Sequence, residues 1–213
     1  TEGWTEGDAL VAWQAVLKFS PDRKQLDELA APWVTAARKR SGPAVSKVRQ
    51  RIDSDYKARR AELPAVAQWG DTRDTLQLMT QVVGKVKMAN TPILSHWWNV
   101  VLFLSSRGLT TGLIPHGRKG FQIDFDLIDH QLVISTTTGT RRMIPLRPGP
   151  VSDFYSAVMA SLADLDLSTE IWPMPVEIPG AIAFDGDREH TAYDADAAHR
   201  CWLALVQIKR VFE

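Results

Sequence analysis

The sequence predicts an α+β fold, in which an antiparallel β-meander of about five or six strands carries helices packed on one face. Two observations support this. Apolar residues recur at helical spacing over the first ninety positions, whereas in residues 94–146 the period falls to two and turn glycines recur. The chain of 213 residues also has 45% apolar residues and 8 Trp, which suffices for a sizeable core.

Two units are predicted along the chain. Residues 1–64 are expected to form a helical N-terminal unit of three helices, and residues 65–213 the α+β domain. Ser20-Pro21 is a typical helix start, and Ser41-Gly42-Pro43 ends the second helix. Leu63-Pro64 closes the third helix and marks the boundary.

The strands are predicted from alternation between turn residues. The segments that indicate strands in the middle of the chain are 97–105, 108–115, 120–127, 132–136 and 141–146. The first is almost continuously apolar, which predicts a central strand, and the third places Gln122, Asp124 and Asp126 on one face. A further strand is predicted at 170–178, where two prolines confine it to a sheet edge. Helices are expected from Asp71, over 152–165 and after Asp194.

Composition narrows the protein class more than it narrows the function. The formal net charge is zero, so global charge favours no partner. The lone Cys201 cannot form an internal disulfide, and no apolar run is long enough to span a membrane. We therefore expect a cytoplasmic protein.

Several short strings in the second two-thirds of the chain form a specific set. They are Gln81-Val82-Val83-Gly84-Lys85-Val86, His96-Trp97-Trp98, Ser106-Arg107-Gly108-Leu109-Thr110-Thr111, Phe121-Gln122-Ile123-Asp124-Phe125-Asp126, Asp153-Phe154-Tyr155, Trp172-Pro173-Met174-Pro175-Val176-Glu177, Phe184-Asp185, Tyr193-Asp194 and Ala198-His199-Arg200. Together they resemble an uncharacterised bacterial family, a domain of unknown function, over about residues 69–213. The resemblance implies a family and no mechanism. It also implies a further aromatic-rich block beyond Glu213, so we expect either a fragment or a fold completed by the first helices or by another chain.

The sharpest candidate for acid–base chemistry is the His96-Trp97-Trp98 string. His96 could exchange a proton while Trp97 or Trp98 floors an apolar pocket. The alternative is that one Trp belongs to the core, the other covers the sheet, and His96 is an ordinary loop residue.

Asp124 and Asp126 project from one strand face about 7 Å apart, given the rise of a strand. Two carboxylates at this distance could divide acid and base roles, or hold a divalent ion if neighbouring strands supplied further ligands. A solvated face of an antiparallel sheet shows the same alternation and is the favoured interpretation. No spacing typical of a metal site occurs, so none is predicted, and no cofactor is identified.

Two further sets of polar residues would suit an anionic ligand. Arg107 and His116 lie among turn glycines, and an Arg can bind carboxylate or phosphate through two hydrogen bonds. His190 and His199 flank an acidic stretch after residue 184. Ordinary turn chemistry, a solvated acidic loop and a helix cap are the alternatives.

The third predicted helix carries a basic face. Its residues, together with the basic run that precedes it, would contact nucleic acid or an acidic partner through Arg38, Lys39, Arg40, Lys47, Arg51 and Arg60. A charged outer face on a packed helix is the alternative.

The leading prediction is a protein that binds or acts on a small polar or anionic molecule in a pocket on the sheet. The first alternative is a protein–protein interaction module or a subunit of an assembly, in which another chain completes the fold. The second alternative is nucleic-acid binding through the basic N-terminal helix.

Overall fold

The computed structural model describes residues 66–212, with side chains for residues 67–209, and residues 67–212 belong to a compact unit that spans Ala67–Glu213. The three helices predicted within residues 1–64, and the six basic residues proposed for nucleic-acid binding, lie outside the described residues. None of the helices in the described range is both long enough and apolar enough to cross a membrane.

Three long helices occur where apolar spacing predicts them. They are α1 (Gly70–Asn90), α2 (Val151–Asp164) and α3 (Ala195–Phe212). Helix α1 ends where Thr91 turns extended before Pro92, as expected of a residue that precedes proline. Asp194 caps the beginning of helix α3, because its Oδ1 accepts a hydrogen bond from the backbone N–H of Ala197.

Six antiparallel strands form one sheet. They are β1 (Phe103–Leu104), β2 (Gly108–Thr110), β3 (Ile114–His116), β4 (Lys119–Asp126), β5 (Gln131–Thr136) and β6 (Arg141–Pro145). The order is β1-β2-β4-β5-β6, and β3 pairs with the beginning of β4. The sheet is therefore a meander, which confirms the predicted α+β class.

One face of this sheet forms the core with all three helices. Across the strands, Leu109 pairs with Phe125, Phe125 with Leu132 and Leu132 with Ile144, and all four side chains are buried. Phe125 also stacks on Phe154 of α2, with ring centroids 6.4 Å apart. The predicted alternation of β4 is confirmed, because its odd-numbered apolar residues face inward.

Three predicted strands are wrong in part or in full. Residues 97–100 lie in a short helical turn, because His96 and Trp97 adopt left-handed backbone angles (φ 55° and 61°) that no strand allows, and β1 is an edge strand. Gly112 (φ 65°) interrupts the second predicted strand and separates β2 from β3. Residues 170–178 form no strand, since their prolines lack the N–H that a sheet ladder needs.

Truncating a side chain should cost much more stability on the core face of the sheet than on the exposed face. We expect Phe125→Ala to lower the free energy of unfolding by about 3–5 kcal/mol, because it leaves a cavity in the core. Met143→Ala, at a side chain that is 65% exposed on the opposite face, should change it by less than about 0.5 kcal/mol. Urea unfolding followed by circular dichroism measures both variants, and equal costs would contradict this assignment of faces.

Candidate functional site

A cavity of about 200 Å³ opens beside the beginning of α1. One wall is the first turns of α1, and the other is a segment that we call the His190 loop, residues 187–192. The residues that line the cavity are Asp71, Asp74, Thr75, Glu189, His190, Thr191 and Ala192. A neighbouring concavity of about 250 Å³ shares Asp71 and Ala192 with it. Of the predicted site residues, His190 lies here.

The His190 loop is anchored to the beginning of α2 by backbone hydrogen bonds. Ser152 N–H donates to the carbonyl of Asp187, Val151 N–H to that of His190, and Gly149 N–H to that of Thr191. Because three successive points are held, the loop presents His190 at a defined place. The sequence alternates Pro and Gly before α2, which leaves these N–H groups outside any helix ladder.

Asp187 is the central polar group of the loop. Its side chain is fully buried, and its Oδ1 accepts hydrogen bonds from the backbone N–H groups of Glu189 and His190. Its Oδ2 lies 2.8 Å from Nδ1 of His190, which therefore donates to it. The other ring nitrogen, Nε2, has no hydrogen-bond partner among the described residues, and the ring is about one-third exposed.

A buried carboxylate that holds one imidazole nitrogen fixes both the tautomer and the orientation of the ring. The second nitrogen is then left as an acceptor on a ring that lines the cavity. The same pairing orients histidines that move protons in many enzymes, where the carboxylate is the fixed partner. The Asp187–His190 pair can therefore hold a hydrogen-bond donor or accept a proton.

The lining of the cavity is acidic. Asp71 and Asp74 lie on the same side of α1, three residues apart, and Glu189 faces them from the loop. Asp74 is paired with its neighbour Arg73 at 2.7 Å, while Thr75 donates its hydroxyl to the backbone of Asp71. Within the described range, no group of three or more His, Cys, Asp or Glu side chains is arranged to hold a metal ion.

Arg107 and Asp126 meet, but in a different place. Arg107 Nε lies 2.6 Å from Asp126 Oδ2, and a second guanidinium nitrogen lies 2.6 Å from Asp129. Asp126 Oδ1 also accepts the backbone N–H groups of Ile128 and Asp129. The three side chains, which we call the Arg107 latch, join the turn before β2 to the turn after β4.

Electrostatics keep the Asp126 carboxyl charged. Burial alone would raise its pKa, but the hydrogen bond from Arg107 and those from the backbone N–H groups of Asp129 and Ile128 outweigh burial, so the pKa lies below its ordinary value. Asp124, two residues earlier, accepts hydrogen bonds from the Gln122 amide at both carboxylate oxygens. The two carboxylates share a face, as predicted, and have different partners.

The remaining predicted histidines are held by neighbouring groups. His116 Nδ1 donates to the Asn90 side chain at 2.8 Å, and His199 Nδ1 donates to the carbonyl of Leu127 at 2.9 Å. His199 thus lies beside the Arg107 latch. In the described part of the chain no hydrogen bond or ion pair joins His96 to Asp124 or Asp126, and the proposed catalytic role of these three residues stays a prediction.

His96, Trp97 and Trp98 lie at the surface. We call residues 93–98 the aromatic turn; its apolar side chains are exposed, with Ile93 at 74%, Leu94 at 52%, Trp97 at 54% and Trp98 at 43%. His96 Nδ1 lies 2.9 Å from the Ser95 hydroxyl. Leu94 N–H donates to the Asn99 side chain, and neither Trp97 nor Trp98 belongs to the buried core, so the role of a Trp as a pocket floor stays a prediction.

Asp187 and the acids of α1 are the site residues that sequence reasoning did not select. Asp187 was placed in a solvated acidic loop, whereas the structure buries it completely. The spacing Asp187-x-x-His190 is the signal that could have found it, because an Asp side chain commonly accepts the N–H groups two and three residues later.

The Arg107 latch predicts a pH dependence of stability. Because the pKa of Asp126 is lower in the folded protein than in the unfolded chain, the stabilisation is complete above about pH 4 and is lost as the pH falls through the folded value. Asp126→Asn should therefore flatten the loss of stability between about pH 4 and pH 2. Asp129→Asn, at an exposed carboxyl, is the matched control and should change the profile less. Urea midpoints measured across that range test this, and identical profiles for wild type and Asp126→Asn would contradict it.

Comparison with known proteins gives one result. Neither the curated proteins nor the solved structures contain a match to this chain. The model of DUF5996, a family of unknown function, matches residues 61–213, which includes the whole sheet, all three helices and both walls of the His190 cavity. The chain therefore belongs to the DUF5996 family, as the resemblance in its sequence predicts.

Proposed function

We propose that this protein binds a small, positively charged polar molecule in the cavity beside His190, with the imidazole of His190 accepting a hydrogen bond or a proton from it. The observation that carries the proposal is the fully buried Asp187 carboxylate bonded to Nδ1 of a partly exposed His190. Burying an ionisable group is costly, and the loop places this group where it orients a ring nitrogen toward a cavity.

The size and charge of the cavity define the class of ligand. A volume of about 200 Å³ lies below the roughly 300–1,000 Å³ of typical ligand pockets, so the molecule is small. Carboxylates of Asp71, Asp74 and Glu189 line it, which favours an amine or a guanidine over an anion. This differs from the anionic ligand that the sequence suggested, since the basic side chains expected to bind it lie elsewhere.

The test is a thermal-shift screen of the full chain. We expect primary amines and guanidines, from ethylamine to agmatine, to raise the melting temperature, while carboxylates of matched size do not. The proposal would be contradicted if carboxylates stabilised the protein, or if none of the amines stabilised it at millimolar concentration.

Variants then identify the site. His190→Gln or Glu189→Gln should weaken binding of the amine found in the screen. The Kd should rise about tenfold to a hundredfold, which is the cost of losing one hydrogen bond to a charged group. Asp185→Asn is the matched control, because this exposed acid lies just before the His190 loop and does not line the cavity. Equal losses in all three variants, measured by calorimetry, would place the binding elsewhere.

The aromatic turn supports a second candidate function, self-association. Four exposed apolar side chains lie within six residues, and the left-handed backbone at His96 and Trp97 is the kind of strain that accumulates at functional surfaces. We propose that a second copy of the chain binds this turn. Because the formal net charge is zero, two copies do not repel each other through their net charge.

The self-association candidate is tested by sedimentation of the full chain over a range of concentrations. A dimer is expected at micromolar concentration, and the double variant Trp97→Ser, Trp98→Ser should shift it to monomer. Met143→Ala, which removes another exposed apolar side chain, is the control. A wild-type protein that stays monomeric throughout would exclude this function.

A further inference from the structure

Helix α1 contains two lysines whose side chains are buried. Lys85 is 7% exposed and Lys87 is 6% exposed, although lysine is among the residues least often buried. The two lysines differ in what their amines contact: Lys87 donates to a backbone carbonyl, whereas Lys85 lies over an aromatic ring.

Lys87 has a structural role. Its Nζ donates a hydrogen bond to the carbonyl of Val101 at 2.6 Å and lies 4.6 Å from the centre of the Phe103 ring. It thereby joins the end of α1 to the segment that leads into β1. A buried amine with such an acceptor is an ordinary satisfied group.

Lys85 has no comparable acceptor. Within the described residues its Nζ makes no hydrogen bond and no ion pair, and the amine lies over the Trp172 ring, 5.1 Å from the ring centre. The amine is not among the fully enclosed side-chain atoms without a bond, so it keeps contact with solvent. Lys85 is therefore a buried lysine whose amine is partly desolvated and keeps some contact with solvent.

The surface above Lys85 is held in place. Residues 171–179, which we call the proline segment, cross this stripe of α1, and Gln81, one turn before Lys85, bonds both the N–H and the carbonyl of Val176. Pro173 accepts a further hydrogen bond from Phe184 N–H. Trp172 is consequently fixed beside the amine while 65% of it stays exposed, which leaves a flat apolar surface next to a nucleophilic nitrogen.

We propose that Lys85 is a covalent binding site for small aldehydes or ketones with a flat apolar body, which pack against Trp172 while the amine forms an imine with the carbonyl carbon. The nitrogen lone pair attacks that carbon and a C–N bond forms. The two hydrogens of the neutral amine pass to the carbonyl oxygen, the C–O bond breaks, and the oxygen leaves as water. The step needs no oxidant or reductant. Lysines that form such imines in enzymes are commonly placed in desolvated pockets.

The electrostatics of the site agree with this role. Burial lowers the pKa of the Lys85 amine, which increases the fraction present as the neutral nucleophile at neutral pH. The site is independent of the His190 cavity, because Lys85 lies ten residues, or about 15 Å along the axis, beyond Thr75.

The experiment treats the full chain with benzaldehyde and sodium cyanoborohydride at pH 7 and maps the benzylated lysines by mass spectrometry. The reductant traps the imine as a stable amine, and fragmentation spectra separate Lys85 from Lys87. We expect Lys85 to react at least about threefold faster than the surface residue Lys119, since each unit of lowered pKa raises the neutral fraction about tenfold. Labelling of Lys85 at or below the rate of Lys119 would overturn the proposal.

Two variants test the role of the surroundings. Lys85→Arg should remove the fast-labelled site and leave the labelling of Lys119 unchanged. Trp172→Ala, at an exposed side chain that the fold does not need, should slow labelling of Lys85, because the amine becomes hydrated and the aldehyde loses its apolar contact. Faster labelling in Trp172→Ala would show that the ring only shields the amine, and would overturn the proposed pocket.

Discussion

The enclosure of α1 is the constraint on which the described domain depends. One stripe of the helix supplies core residues such as Val82, Val83 and Val86, all fully buried. Polar side chains along the same helix each hold a different part of the chain: Thr72 accepts the N–H of Asp194, Gln81 holds Val176, Lys87 holds Val101 and Asn90 holds His116. These bonds all run from α1, which is one rigid element. They therefore position four other parts of the chain relative to each other: α3, the proline segment, the entry to β1, and β3. The acidic wall of the His190 cavity is the exposed remainder of that helix.

The buried and half-buried polar groups in this domain differ in whether the fold uses their bonding capacity. Asp126, His116 and His199 each form a hydrogen bond that links two parts of the chain. His190 and Lys85 differ, because the fold fixes one end of His190 and the stem of Lys85 while a reactive nitrogen stays available. Cys201 does not join this second group, since burial raises the pKa of its thiol to about 12 and keeps it protonated. These two nitrogens lie near opposite ends of α1.

Sequence periodicity predicted the elements whose structure depends on burial of one face. The stripe of α1 and the alternation of β4 are of this kind, and both were found as expected. Periodicity failed at residues 97–100, where the apolar content indicates a strand. Trp97 and Trp98 are exposed and bury little surface, and left-handed angles at His96 and Trp97 place the backbone in a turn. The burial of Asp187 was not predictable from composition. An acidic stretch looks solvated until the closure of its loop on α2 is known, and only tertiary structure provides that closure.

Lys85 and Lys87 differ in whether contacts in the fold account for a buried amine. Desolvation lowers the pKa of both amines, so both carry the cost of burial. For Lys87 the hydrogen bond to Val101 offsets that cost and explains why a lysine occupies the position. At position 85 packing alone would be served as well by methionine or leucine, which fill similar space and carry no charge to desolvate. Since no acceptor within the described residues explains the Lys85 amine, the nitrogen itself is the property that distinguishes lysine from those residues at this position.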